Sequence, residues 1–263
     1  IHRIGMDAFR QKVEEELKEP WAQNPIDPTP LLFLDEAEQD PLKGRENGHK
    51  PLPDPVPQEF LRWKVTNVLS QRQPGFYAAY VKVPMGDLTP QQFFVLAECS
   101  RRFGNRRLRT TAEQNLLFRW VQEEGLYPLW AELDRIGLGE AGVHEITDVT
   151  ACPSTDSCKL GITNSMGLGR AIRAQLDTMS LDDPLVRGLH VKISGCPNGC
   201  GRHHVANIGF QGGSFKGDKN RDVPSYEIFL AGNFEGGDVS YGQRIPVRIA
   251  SKQAPEALKR VLE

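Results

Sequence analysis

No run of about 18 apolar residues occurs in the 263-residue chain, so a membrane-spanning helix is not expected. Charge of one sign is also missing. Against 32 Lys and Arg stand 34 Asp and Glu, a net charge of −2, which leaves no basic field for nucleic acid. The opening lacks a charged segment followed by a short apolar one, so no secretory signal is expected. Cysteine is scarce and odd in number: Cys99, Cys152, Cys158, Cys196 and Cys200. An odd set without a secretory signal argues against a disulfide framework. The expected compartment is the cytoplasm, or a plastid if the source is a plant or alga. There, clustered cysteines are more often metal ligands or catalytic groups.

What is present suffices for a core: 39% of the residues are hydrophobic, at a length that suits two compact units better than one. Ile4, Phe9, Val13 and Leu17 recur at helical spacing, so the chain opens inside a helical pattern. Pro255 to Glu263 likewise stops inside one, without a C-terminal glycine. Both ends therefore look cut, and further residues are expected before Ile1.

Prolines crowd residues 20–57, which read as a linker or an extended strap. Phe76 to Val83 is rich in aromatic and β-branched residues and predicts a strand. Thr89-Pro90-Gln91-Gln92 predicts a helix start with a capping box, burying Phe93, Leu96 and Ala97 and ending near Gly104. Leu108 to Thr111 and Asn115 to Trp120 predict short strands, and a helix with Pro128 early in it follows. This order suggests a ferredoxin-like α+β unit. From Ile146 a second α+β unit is expected. Its strands are Leu189 to Ile193, Val205 to Phe210 and Tyr226 to Leu230, its helix Leu168 to Met179, and its turns Gly212-Gly213 and Gly236-Gly237. The expected divisions are 1–58, 59–140 and 141–263.

The chemistry lies in two cysteine pairs, Cys152-Pro-Ser-Thr-Asp-Ser-Cys158 and Cys196-Pro-Asn-Gly-Cys200. Four thiolates on two loops suit an iron–sulfur cluster, with Gly195, Gly199 and Gly201 letting backbone N–H groups approach the sulfurs. Structural zinc is the rival. Its knuckles are usually C-x2-4-C, which the second pair satisfies and the first exceeds. Cys99, beside Leu96 on a helix, reads as a small core residue. Arg202, His203 and His204 read first as structural or solvent-facing, and Lys159 and Arg170 as surface charge.

The segments TACPSTDSCKLGITNS and KISGCPNGCGRHHVANIGF resemble the two cysteine motifs of the siroheme-dependent nitrite and sulfite reductases. Leu108-Arg-Thr-Thr-Ala-Glu-Gln-Asn-Leu116 resembles that family's TxxQN segment. The likeness covers about residues 60–263. It implies a ferredoxin-like half-domain followed by a siroheme and 4Fe–4S domain, the second of two such halves. The preceding half's tail would then be at 1–20. It also implies that Cys152, Cys158, Cys196 and Cys200 bind a 4Fe–4S cluster and that Cys200 is shared with the siroheme iron. Asn198 would contact a siroheme carboxylate, and Gln114 and Asn115 would approach the macrocycle. The implied reaction is six-electron reduction of nitrite to ammonia or sulfite to sulfide, fed by ferredoxin or a similar donor. No inserted ferredoxin motifs occur, which favours an assimilatory type. The family's substrate-binding Arg and Lys residues come from the first half, so no catalytic residue is assigned on this chain. The chain alone is expected to hold the cluster poorly and to reduce nothing. The alternative from another class is a zinc-stabilised, non-catalytic binding module.

Overall fold

The computed structural model describes residues 4–24, 27, 51–236 and 239–263. The chain divides into two compact units, Ile1–Asp40 and Pro41–Glu263. In the first, helix α1 (Met6–Glu16) is followed by one turn, α2 (Pro20–Gln23). Met6, Phe9 and Val13 follow the helical period but are exposed. The expected linker is helical at its start, and most of it, residues 28–50, lies outside the described residues.

The second unit opens with α3 (Gln58–Asn67), β1 (Val68–Ser70) and β2 (Phe76–Val81). Next come α4 (Pro90–Arg102), β3 (Leu108–Thr110), β4 (Leu116–Gln122) and α5 (Glu123–Arg135). The four strands form an antiparallel sheet in the order β1-β2-β4-β3. The helices cover it because each carries an apolar stripe at spacing three or four: Phe60 and Trp63 on α3, Leu96, Cys99 and Phe103 along α4, and Leu126, Leu129, Trp130 and Leu133 on α5. These pack against Ala79, Val81, Phe118 and Val121 of the sheet. Cys99 is thus a core residue, and burial pushes its thiol up to about 12. The capping box forms as expected, with Gln92 N–H donating to Thr89 Oγ1 at 3.3 Å and Thr89 N–H to Gln92 Oε1 at 2.9 Å. Pro128 sits inside α5 rather than at its start.

The remaining elements are β5 (Thr150–Ala151), α6 (Ser165–Leu176), α7 (Pro184–Arg187) and β6 (Val191–Ser194). They are followed by β7 (Ile208–Lys216), β8 (Asp222–Leu230), β9 (Gln243–Ala250) and α8 (Ala254–Leu262). The five strands form one sheet in chain order, parallel from β5 to β7 and antiparallel from β7 to β9. One face buries Val191, Ile193, Ile208, Phe210, Tyr226 and Ile228 under α6 and α8. The period of two then puts Lys192, Ser194, Gln211 and Glu227 on the other face.

The expected Gly212-Gly213 turn is corrected: both glycines lie within β7. A Cβ at Gly212 would stand 2.4 Å from Thr163 Oγ1, so the glycine serves close approach, not chain reversal. Gly236, at φ 69°, does lie in a bend, and Gly237 is outside the described residues.

Candidate metal centre

Both cysteine loops leave the carboxyl ends of neighbouring parallel strands. Ala151 of β5 is in register with Ile193 of β6, so Cys152 and the Gly195-Cys196 pair start their loops side by side. The stretch from 195 to 207 is also the crossover between parallel strands β6 and β7. It is near the shortest such a pair allows, and the cysteine loop takes the place a helix usually fills.

Backbone hydrogen bonds stitch the loops together at Gly195. Its N–H donates to Cys152 Sγ at 3.2 Å. Its carbonyl accepts from Ile162 N–H at 3.0 Å and Thr163 N–H at 3.1 Å. A Cβ on Gly195 would lie 1.8 Å from Ser154 Oγ, so only glycine lets the loops touch here. Ser154 closes the first loop on itself, donating to the Thr163 carbonyl at 2.6 Å. Ser165, at the start of α6, donates to the Cys152 carbonyl at 2.6 Å.

Cys152 and Cys196 are buried, whereas Cys158 and Cys200 are exposed beside exposed Pro197 and Asn198. Among the described residues, no three His, Cys, Asp or Glu side chains are gathered closely enough for one metal ion. Four thiolates on a single zinc at about 2.3 Å would be so gathered. A cubane binds each thiolate through a different iron and spaces the sulfurs more widely. Two stitched loops with a backbone N–H on one cysteine sulfur, two buried cysteines and two exposed ones suit a cluster that binds each sulfur through a different iron.

The loop between β3 and β4, residues 111–115, grips both cysteine loops. Gln114 stands in the left-handed region at φ 68°. Its side chain accepts from Ala151 N–H at 3.0 Å and donates to the Ala151 carbonyl at 2.8 Å. β5 is an edge strand, and this amide supplies the hydrogen bonds of an absent neighbour one residue before Cys152. Asn115 is 1% exposed; it donates to Asp148 Oδ2 at 2.7 Å and accepts from Val83 N–H at 2.8 Å. The side chains of both residues expected at a macrocycle are thus engaged with protein groups. Asn198 is exposed, two residues before the exposed Cys200.

Glu113 and Lys192 carry no legible local signal, although Glu113 lies inside the TTAEQN segment. Arg202, two residues after Cys200, adopts φ 59° and donates to the Ala112 carbonyl and to Glu113 Oε1, the latter at 3.1 Å. Lys192, 1% exposed, lies 3.7 Å from the same carboxylate and 4.5 Å from the Phe234 ring centre. Burial pushes the Lys192 ammonium down to about 8, helped by the nearby Arg202 cation. Burial raises the Glu113 carboxyl, but Lys192 and Arg202 outweigh it and hold Glu113 below the usual range.

Family models match in two consecutive stretches: residues 69–136 as a nitrite/sulfite reductase ferredoxin-like half domain, and 142–263 as a nitrite and sulphite reductase 4Fe-4S domain. The chain is 29% identical over 209 residues to a ferredoxin–nitrite reductase of Synechococcus elongatus, covering 78% of this chain and 40% of that one. It is 27% identical over 193 residues to an assimilatory-type sulfite reductase of Nitratidesulfovibrio vulgaris, covering 73% and 82% respectively. In fold it matches the Mycobacterium tuberculosis NirA protein with a TM-score of 0.65 and 24% identity, over 100% of this chain and 43% of that one. The chain thus spans about two fifths of the nitrite reductase and most of the shorter sulfite reductase. With both domains present in sequence, this chain belongs to the nitrite and sulfite reductase family, whose cofactors are a 4Fe–4S cluster and siroheme.

Proposed function

We propose that this chain is the cofactor-bearing module of a nitrite or sulfite reductase, divided into a half-domain at 59–140 and a cluster domain at 141–263. Cys152, Cys158, Cys196 and Cys200 hold the 4Fe–4S cluster, with Cys200 shared with the siroheme iron and Asn198 at a siroheme carboxylate. The carrying observation is the stitch at Gly195, which brings the two cysteine loops together at adjacent strand ends.

The division of labour follows from the burial. Cys152 and Cys196 anchor the site from within, and the Gly195 N–H partly neutralises the Cys152 thiolate. Cys158 and Cys200 are exposed, which leaves them accessible to a macrocycle. When bound, the pair of cofactors supplies one-electron transfer at short range to an oxyanion. Gln114, which fixes the end of β5 from which the first loop departs, and Asn115, which holds Asp148 just before that strand, approach the macrocycle. The substrate is nitrite or sulfite, reduced by six electrons from ferredoxin or a similar one-electron donor. No oxyanion-binding residue is assigned on this chain. The cytoplasm or a plastid is the setting. No helix among the described residues is long and apolar enough to cross a membrane.

Anaerobic reconstitution with ferrous iron and sulfide tests the ligand set. The wild type should take up iron and acid-labile sulfide in a ratio of about one to one, at well below a full cluster per chain, because the chain alone is expected to hold the cluster poorly. Cys158→Ser and Cys200→Ser should lose most of that uptake with unchanged thermal stability, because both thiols are exposed in the fold. One zinc per chain and no colour would instead establish the zinc-stabilised module.

A further inference from the structure

The face of the five-stranded sheet away from α6 and α8 carries a row of polar side chains in cross-strand register. Ser194 of β6 is opposite Gln211 of β7, Gln211 opposite Glu227 of β8, and Glu227 opposite Arg248 of β9. His203, 3% exposed, lies over the row just beyond the second cysteine loop. We propose that His203 and Glu227 are positioning residues for the Cys196–Cys200 loop, through a one-way chain of hydrogen bonds that locks His203 as its neutral Nε2–H tautomer and pins the turn carrying Cys200.

The direction of each bond follows from its neighbour. Glu227 receives Arg248 Nη2 and, at 3.3 Å, Arg244 Nη1. The hydrogen bond from Arg248 is the largest influence on its carboxyl, and against the cost of burial the two arginines hold it below the usual range. An ionised carboxylate only accepts, so the Gln211 group facing it at 3.5 Å is the Nε2 amide donor. Gln211 then turns its Oε1 towards His203 Nε2, at 3.1 Å, and that nitrogen must carry the proton. Burial, with His204 adding to it, pushes the His203 imidazole down to about 4, so the ring is neutral at pH 7 and its Nδ1 is an acceptor. Nδ1 lies 2.9 Å from Ser194 Oγ, which therefore donates to it. With its proton committed, Ser194 Oγ presents lone pairs to Gly201 N–H, which donates at 3.0 Å.

The chain ends on the residue after Cys200. A Cβ at Gly201 would stand 1.9 Å from the Ile193 carbonyl oxygen, so the backbone there is already pressed onto β6. Ser194 fixes its orientation as well as its distance. Arg202 pins the following residue to the 111–115 loop, so the exit of the cysteine turn is held on two sides. Only the consequence for metal retention rests on the cluster assignment; the tautomer does not.

The test is a two-bond 15N–1H ring-correlation spectrum of the full chain at pH 7. Wild-type His203 should show one neutral form protonated at Nε2. Glu227→Gln, which lets the Gln211 amide turn either way, should give a mixture of tautomers. An Nδ1–H or mixed ring in the wild type, or an unchanged ring in Glu227→Gln, would overturn the proposal. In a second arm, reconstituted wild type and Ser194→Ala are challenged with an iron chelator at matched folded fraction. Ser194→Ala should lose iron about 2- to 10-fold faster, the equivalent of one net hydrogen bond. Equal rates would overturn the positioning role. A wild type that takes up no iron and acid-labile sulfide at all would count against the cysteine ligand set and leave the tautomer result to decide the chain of hydrogen bonds itself.

Discussion

Gln114→Ala is the most informative perturbation of the grip between the half-domain and the first cysteine loop. The wild-type amide makes two hydrogen bonds to one peptide neighbour, accepting from Ala151 N–H at 3.0 Å and donating to the Ala151 carbonyl at 2.8 Å. Ala151 is fully buried, and its outward edge has no strand beside it. Truncation therefore removes two bonds and strands a buried donor and a buried acceptor. At about 1–3 kcal/mol for each stranded group, and with some relaxation of the loop, the expected loss is about 2–4 kcal/mol. A compensating gain is open to the alanine only if the left-handed backbone relaxes, since φ at this position is 68°. Urea unfolding of the purified chain measures the loss as a shift in midpoint at constant slope. Iron uptake of the remaining folded fraction then reports whether Cys152 is still held. A loss below about 0.5 kcal/mol, within the range of ordinary surface changes, would refute the view that this amide completes the sheet edge.

Gly201→Ala should prevent cluster loading and markedly destabilise the fold, because the new methyl would lie 1.9 Å from a backbone oxygen. Gly213→Ala, with nothing within 4 Å of the added atom, is the control and should leave iron content unchanged. For Lys192, the folded-state pKa of about 8 lies below the ordinary 10.5. Between these values the unfolded chain binds more protons, so this group makes stability rise with pH from about 8 to about 10.5. Its desolvation penalty is fully present below about pH 8. Lys192→Met should flatten that rise in a pH series of urea midpoints, and an unchanged slope would refute the buried-cation reading.

The chain shows which parts of a fold are local. The Thr89–Gln92 cap, the stripe of α6 and the aromatic β2 were readable because each pattern is closed within a few residues, whereas on α4 Leu96 is buried as expected but Phe93 is exposed. So were the two cysteine pairs, since a loop that wraps a cluster needs its ligands at short spacing. The limits of elements were less legible: α6 begins at Ser165, not Leu168, since the Asn164 side chain caps it by accepting from Gly167 N–H at 2.6 Å. β5, two residues long, is shorter than one full alternation and leaves no periodic signal. β9 has the alternation of a strand but is mostly exposed, so no apolar face announced it.

The sequence by itself determined the ligand types, their spacing and the kinds of local structure that carry them, because short-range sterics and hydrogen bonding act within a few residues. The tertiary structure alone decided that the two loops meet at Gly195, that Gln114 and Glu113 grip them from another sheet, and that a buried row from Ser194 to Glu227 supports the second. Those pairings are chosen by register and burial between residues far apart in the chain, and such choices leave no trace in any local pattern.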